Sequence, residues 1–386
     1  MRPATWLIHA GQGGGEPQAF TTVAPPVQRA STLLLPDAAA LYDRAGPTYG
    51  RQGLATHAAL TEALCALEGA EHVELYGSGL AALSGAMLAV LNAGDHVLVA
   101  DGVYGPTRRF CDVTLRRFSI AVDYFPVRAS AEQVLALARP ATRLIVMESP
   151  ASLTFEVQDA PAVAAAARER GILTLLDNTY AAGQLFRPLE HGVDLSVQAL
   201  TKYVGGHADT FMGSVAVRDP ALAARLRAMS AEAGWATSPD DAWLILRGLR
   251  TLDVRLARHG ENGLAVARWL EGRPEVARVL HPALASSPDR ALFSRLFSAP
   301  CGLFGVVLKP AARASVDSFL NALRLFGLGF SWGGFESLAI AADRQLKRTA
   351  EPWRGEGPLL RLHVGLEDPA DLTADLDQAF AALAPV

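Results

Sequence analysis

Cysteine is scarce in this chain. Cys65, Cys111 and Cys301 are its only ones, odd in number and far apart, so no disulfide framework and no paired metal-ligand spacing is written into it. Each is expected to act as a buried small apolar residue, and a reducing cytoplasm is the expected location. A basic excess is also missing: the formal net charge of −4 offers no electrostatic footprint for nucleic acid or an anionic membrane. Long hydrophobic runs are missing too. The longest, at residues 80–91, is interrupted by Ser84 and Gly85 and falls short of the roughly 20 apolar residues that a bilayer-crossing helix needs. The first fifteen residues lack the apolar segment of a secretory leader, so none is expected. There is no internal repeat, and no low-complexity tract beyond alanine-rich stretches.

What is present has a globular balance, with half the residues hydrophobic and 19% charged. A chain of 386 residues exceeds one simple core, so two or three structural regions are expected. Residues 1–53 show little periodicity and read as an arm. Residues 56–69 carry Leu60, Leu64 and Leu67 at helical spacing, with Gly69 as a stop. Apolar strands are expected at 72–76, 96–100, 144–148 and 172–176. Helical patterns lie between them, one starting at Asp159 and Pro161. Strands alternating with helices in this way imply right-handed crossovers and a mostly parallel sheet. Ligands of such sheets sit at the carboxyl ends of strands, which directs attention to residues 77–80, 101–104, 148–150 and 177–180. Near Arg247 the pattern changes to long helices. A second α/β unit follows, with strands at 303–308 and 359–364 and a last helix at 369–383 capped by Asp368.

Three constellations could carry chemistry. Gly77-Ser78-Gly79-Leu80-Ala81-Ala82 lies between a strand and a helix, where glycines let the backbone approach an anion and free N–H groups point at it. The same segment fits the dinucleotide pattern G-x-G-x-x-A, and Asp101 ends the next strand, where an acid could hold a ribose. A nicotinamide dehydrogenase is therefore one reading of it. Next, Asp177 ends the apolar run Leu175-Leu176. A carboxylate there can pair with a protonated ring nitrogen, or it can merely cap a helix. Finally, Lys202 follows a mostly apolar segment and precedes Gly205-Gly206. An amine in an apolar pocket has a depressed pKa and can attack an aldehyde, although most lysines are simply solvated.

The order phosphate loop, acidic strand end, lysine matches the layout of aspartate-aminotransferase-type enzymes. Taken with further segments, the chain resembles the Cys/Met-metabolism family of pyridoxal 5′-phosphate (PLP) enzymes, and within it the bacterial cystathionine β-lyases. The matching segments are Tyr49-Gly50-Arg51-Gln52-Gly53, Asp177-Asn178-Thr179, Ser196 to Tyr203, Arg247 to Leu252, Ser331 to Leu338, and Arg361 to Asp368. They span nearly the whole chain. The resemblance implies an α/β, fold type I transferase architecture. Residues 1–53 would be an arm reaching a neighbouring subunit's site, residues 54–246 a large PLP-binding domain with a mostly parallel sheet, and residues 247–386 a small domain.

The resemblance also implies roles. Lys202 would hold PLP as a Schiff base and later move protons. Asp177 would bind the pyridine nitrogen and Tyr104 would stack on the ring. Gly79 and Leu80 would offer backbone N–H groups to the phosphate, with the Thr201 hydroxyl beside them. Tyr49 and Arg51 would reach that phosphate from a neighbouring subunit, Tyr49 also counting among the catalytic side chains, within a homotetramer built as a dimer of dimers. Arg361 would clamp the substrate carboxylate, with Ser331 and Trp332 on the substrate side. His57 and His207 read as structural hydrogen-bonders. No metal, nucleic acid or membrane partner is implied. The expected reaction is β-elimination from L-cystathionine, giving homocysteine, pyruvate and ammonia for methionine synthesis. Methionine γ-lyase, cystathionine γ-lyase and cystathionine γ-synthase are alternatives within the family. Two departures stand out: Ala199 replaces a serine common in the family, and Phe330 stands where γ-acting relatives carry glutamate.

Overall fold

A computed structural model describes residues 3–9, 22–43 and 46–383. Seven strands form the larger sheet: β1 (His72–Tyr76), β2 (His96–Ala100), β3 (Ala121–Phe125), β4 (Thr142–Glu148), β5 (Leu173–Asp177), β6 (Leu195–Ala199) and β7 (Gly213–Val217). Their order is β1-β7-β6-β5-β4-β2-β3. The central strands pair in parallel, as the alternating pattern implied. Strands β2 and β7 are buried along their full length, which is why they read as continuous apolar runs rather than alternating ones.

Strand β7 departs from that pattern and runs antiparallel to both β6 and β1. The reason is local. Residues 200–212 between β6 and β7 hold only turns and bends, and a parallel return needs a crossover element. The reversing turn begins at the carboxyl end of β6 and carries Lys202, and because β4, β5 and β6 are parallel it lies at the same edge where β4 ends in Glu148 and β5 in Asp177.

Five strands make the second sheet: β8 (Val276–Leu280), β9 (Leu303–Leu308), β10 (Gly327–Leu328), β11 (Leu338–Ala341) and β12 (Leu359–His363), in the order β10-β11-β12-β9-β8. Sequence reading anticipated β9 and β12, which lie side by side and antiparallel. It missed β8, β10 and β11, which are short or only half-buried. The last helix, Pro369–Phe380, is capped by Asp368, whose carboxylate accepts from Ala370 N at 2.8 Å. Its Phe380 stacks on Phe319 with ring centroids 4.8 Å apart.

The arm has more structure than its composition suggested. Helix Pro3–His9 buries Leu7 against the larger core, and the Leu7 and Ile8 carbonyls accept from the Arg250 guanidinium.

One carboxylate, Asp101, ties the second unit to the loop after β2. Arg108 Nη1 donates to Asp101 Oδ1 at 2.7 Å, and both side chains are almost wholly buried. The Asp101 carboxylate also accepts from the backbone N–H groups of Thr349 (2.8 Å), Ala350 (2.9 Å) and Glu351 (3.2 Å). Burial alone would raise the pKa of this carboxyl, but Arg108 and the three N–H groups outweigh it and hold the group below the ordinary value. The dehydrogenase reading, which reserved Asp101 for a ribose, is thereby corrected: every face of this carboxylate is already engaged inside the protein. Asp101→Ala leaves the buried Arg108 with only the Asp112 carboxylate, 3.8 Å from its Nε, as a counter-charge. It should cost about 3–5 kcal/mol of stability, read as a lower urea midpoint, and an unchanged midpoint would show the pair to be idle.

Candidate active site

Three features converge at the carboxyl edge of the larger sheet. The first is the start of helix Gly79–Val90. Ser78 caps this helix, its hydroxyl accepting from Ala81 N at 3.1 Å. A Cβ on Gly79 would lie 2.4 Å from the Ala199 Cβ, so only glycine lets the helix start come this close to the end of β6. The Gly79 and Leu80 N–H groups belong to the first turn, where no intrahelical acceptor exists, and Leu80 is partly exposed. Thr201 is two residues from Ala199. Its hydroxyl exchanges hydrogen bonds with the Met212 backbone, accepting from N at 3.0 Å and donating to O at 3.2 Å. Giving its proton to a phosphate would therefore mean releasing the Met212 carbonyl.

The second feature is Lys202 with its surroundings. Its Nζ donates to Ser331 Oγ at 2.7 Å and stands 5.4 Å from the Trp332 ring centre. Burial depresses its pKa to about 8. The Arg361 charge adds to that effect, and the Asp177 charge opposes it. Lys202, Asp177 and Arg361 thus share one electrostatic site. Asp177 is buried and accepts from Thr179 twice, from N at 3.0 Å and from Oγ1 at 2.5 Å. Burial raises its pKa, while Thr179 and Lys202 pull it back. Tyr104 stands half-exposed at the end of the loop after β2 and senses Glu148, Arg361 and Asp177.

The third feature is a turn delivered by the second sheet. Arg361 on β12 donates through Nη2 to the carbonyls of Phe330 (3.2 Å) and Ser331 (2.9 Å). Its Nε is buried without a partner, so the guanidinium keeps a free donor for an anion. Burial lowers its pKa to about 10, well above neutrality. Gly333 has φ +85°, and a Cβ there would lie 2.7 Å from Tyr203 N, which is why the turn can lie directly on the Lys202–Tyr203 backbone.

Sequence reading missed two residues of this site. His363 follows Arg361 by two, and so shares its face of β12; its Nε2 lies 3.1 Å from both Gly333 N and Gly334 O. Burial, joined by the neighbouring His259, pushes this imidazole well below its usual pKa, so it stays neutral. Glu148 ends β4 in direct register with Asp177 and accepts from Tyr104 N at 2.6 Å. The signal for Glu148 was the one that flagged Asp177, an acid ending an apolar strand. Tyr49 and Arg51 behave differently. Tyr49 is half-exposed and Arg51 donates to the Ala231 carbonyl; among the described residues, no hydrogen bond joins either to Lys202 or Asp177. His57 and His207 make backbone contacts, to Leu54 and Thr237 in one case and Gly205 in the other.

The donor set fits PLP: an enclosed amine for the aldehyde, a buried carboxylate for the ring nitrogen, and a helix start for the phosphate. Comparisons with known proteins agree. The family model described as "Cys/Met metabolism PLP-dependent enzyme" matches residues 4–381. The cystathionine beta-lyase of Bordetella avium is 44% identical, over 97% of this chain and 96% of that protein. Cystathionine beta-lyase MetC of Escherichia coli K12 is 39% identical, over 98% of each. The crystal structure of metB from Corynebacterium glutamicum superposes with a TM-score of 0.92 at 30% identity, covering 100% of this chain and 99% of that one.

Only three lysines occur in the chain, Lys202, Lys309 and Lys347, so their reactivities can be followed one by one. In cofactor-free protein, Lys202 should react with an amine-selective acylating reagent at a half-maximal rate near pH 8, measured by mass spectrometry of its peptide. A half-point near the ordinary lysine value of about 10.4 would mean that the amine is not enclosed.

Proposed function

From the premise that the chain belongs to the Cys/Met metabolism PLP-dependent enzymes, we propose that it is a carbon–sulfur lyase. It cleaves L-cystathionine by β-elimination to homocysteine, pyruvate and ammonia, a step of methionine synthesis. The observation that carries this reading is the enclosed Lys202 amine, held by Ser331 and flanked by the charges of Asp177 and Arg361.

Bound PLP supplies the electron sink for carbanion chemistry at Cα. The chain's residues do the rest. Asp177, its position fixed by Thr179, would pair with the pyridine nitrogen and favour its protonated form. Gly79 and Leu80 N–H groups, with Thr201 Oγ1 alongside, would hold the phosphate, and Tyr104 would pack on the ring. Arg361 takes the substrate α-carboxylate through its free Nε, a charge-assisted contact that orients Cα. Lys202, with its pKa near 8, is partly neutral at physiological pH and removes the Cα proton. Ser331 passes its hydrogen bond from the lysine to the substrate carboxylate, and Trp332 walls the substrate side. The leaving thiolate is protonated by Lys202 or Tyr104. Tyr49 and Arg51 serve the phosphate of a neighbouring subunit within a dimer of dimers, in keeping with the Arg51 guanidinium donating to the Ala231 carbonyl instead of to its own chain's site. Among the described residues no helix is long and apolar enough to cross a membrane, in keeping with a cytoplasmic site of action.

Incubation with L-cystathionine should yield pyruvate and homocysteine. Accumulation of 2-oxobutyrate would place the enzyme with the γ-lyases, and net formation of cystathionine with the γ-synthases. Lys202→Ala should abolish the visible cofactor absorbance and most turnover. Arg361→Lys, which keeps the charge but loses the fork, should lower kcat/KM about tenfold to a hundredfold, chiefly through KM in steady-state kinetics; an unchanged KM would remove Arg361 from the carboxylate.

A further inference from the structure

Tyr104 sits at a junction held by two different parts of the chain. Upstream, Asp101 is gripped by Arg108 and by residues 349–351. Within the loop, Ser152 N donates to Gly102 O at 2.8 Å. Downstream, the Tyr104 carbonyl accepts from Arg108 N at 3.0 Å. The Tyr104 N–H itself has one acceptor, Glu148 Oε2 at 2.6 Å. Glu148 ends its strand in register with Asp177, so the acid that holds Tyr104 is the immediate neighbour of the acid assigned to the ring nitrogen.

We infer that Glu148 is a positioning residue, which fixes Tyr104 over the cofactor through its backbone N–H and does so in its neutral, protonated form, leaving the negative charge to Asp177. This rests on the function proposed above for Tyr104 and Asp177. Two carboxyls on adjacent strand ends do not both ionise readily, and the proton goes to the one with fewer donors. Asp177 has two donors from Thr179 and the Lys202 charge. Glu148 has the single Tyr104 N–H, with Arg348 as the cation that reaches it. Arg348 is itself drawn to Thr154 and Glu156. Burial first, and the Asp177 charge second, raise the Glu148 pKa well above the usual carboxyl range. A protonated carboxyl still offers a carbonyl oxygen to Tyr104.

Glutamine reproduces that neutral form and alanine removes the acceptor. In the cofactor-loaded protein, Glu148→Ala should speed amide hydrogen exchange in the peptide spanning residues 101–110 and lower kcat by roughly tenfold to a hundredfold. Glu148→Gln should match wild type in both exchange and kcat near pH 7. It should also flatten the alkaline limb of the kcat profile, where wild-type Glu148 ionises beside Asp177. If alanine leaves exchange and kcat unchanged, Glu148 does not position Tyr104. If glutamine is as impaired as alanine, the ionised form is the working one and the inference fails. Should the alanine protein not fold, the glutamine protein decides the matter alone, since retained exchange protection and kcat support the inference and their loss overturns it. A wild type that is colourless and inactive would sink the proposed function instead, and the exchange comparison would still report whether Glu148 holds Tyr104.

Discussion

An ammonium group withdrawn from water pays a solvation penalty unless a counter-charge meets it, and proteins settle that penalty by shifting the pKa. Lys202 lies in this regime. Burial and Arg361 push its amine toward neutrality, while Asp177 restrains the shift at about 8. With a larger shift the amine would rarely carry a proton to deliver. With none it would rarely be free to take one.

Two sheets cooperate in placing these groups. The larger one supplies Asp177, Glu148 and the Lys202 turn from strand ends that share one edge. The smaller one supplies Arg361 and His363 from one strand, and these two hold the Ser331–Gly334 turn against the lysine backbone. Tyr203 links the units, touching Trp332, His259 and His363 edge to face or tilted. A rigid edge and a rigid brace meeting at an amine suit catalysis, where small errors of placement are expensive.

Much of the site was legible because its physics is local. Asp177 ends an apolar strand, the Gly77–Gly79 turn precedes a helix, and Gly205-Gly206 follows the lysine. Yet the glycine turn also fitted a dinucleotide fold, with Asp101 as the ribose acid. What separates the two readings is where Asp101 spends its hydrogen bonds, and its partners at 349–351 are about 250 residues away in sequence. No local pattern carries that information. The second-sheet strands β8, β10 and β11 escaped for a related reason: short, half-buried strands lack a periodicity strong enough to stand out.

By itself, the sequence determined the alternation of strands and helices and the parallel centre of the larger sheet, because hydrophobic period is written in neighbouring residues; strand-end chemistry singled out Asp177 and Lys202 as candidates, and Arg361 entered through the family resemblance alone. Tertiary structure alone decided that β7 reverses, that Gly79 meets Ala199, that Arg361 keeps a free Nε, and that Glu148 stands beside Asp177 with Tyr104 on its oxygen. Those facts depend on which distant backbones approach within a few ångströms, and such proximity is a product of the packed core.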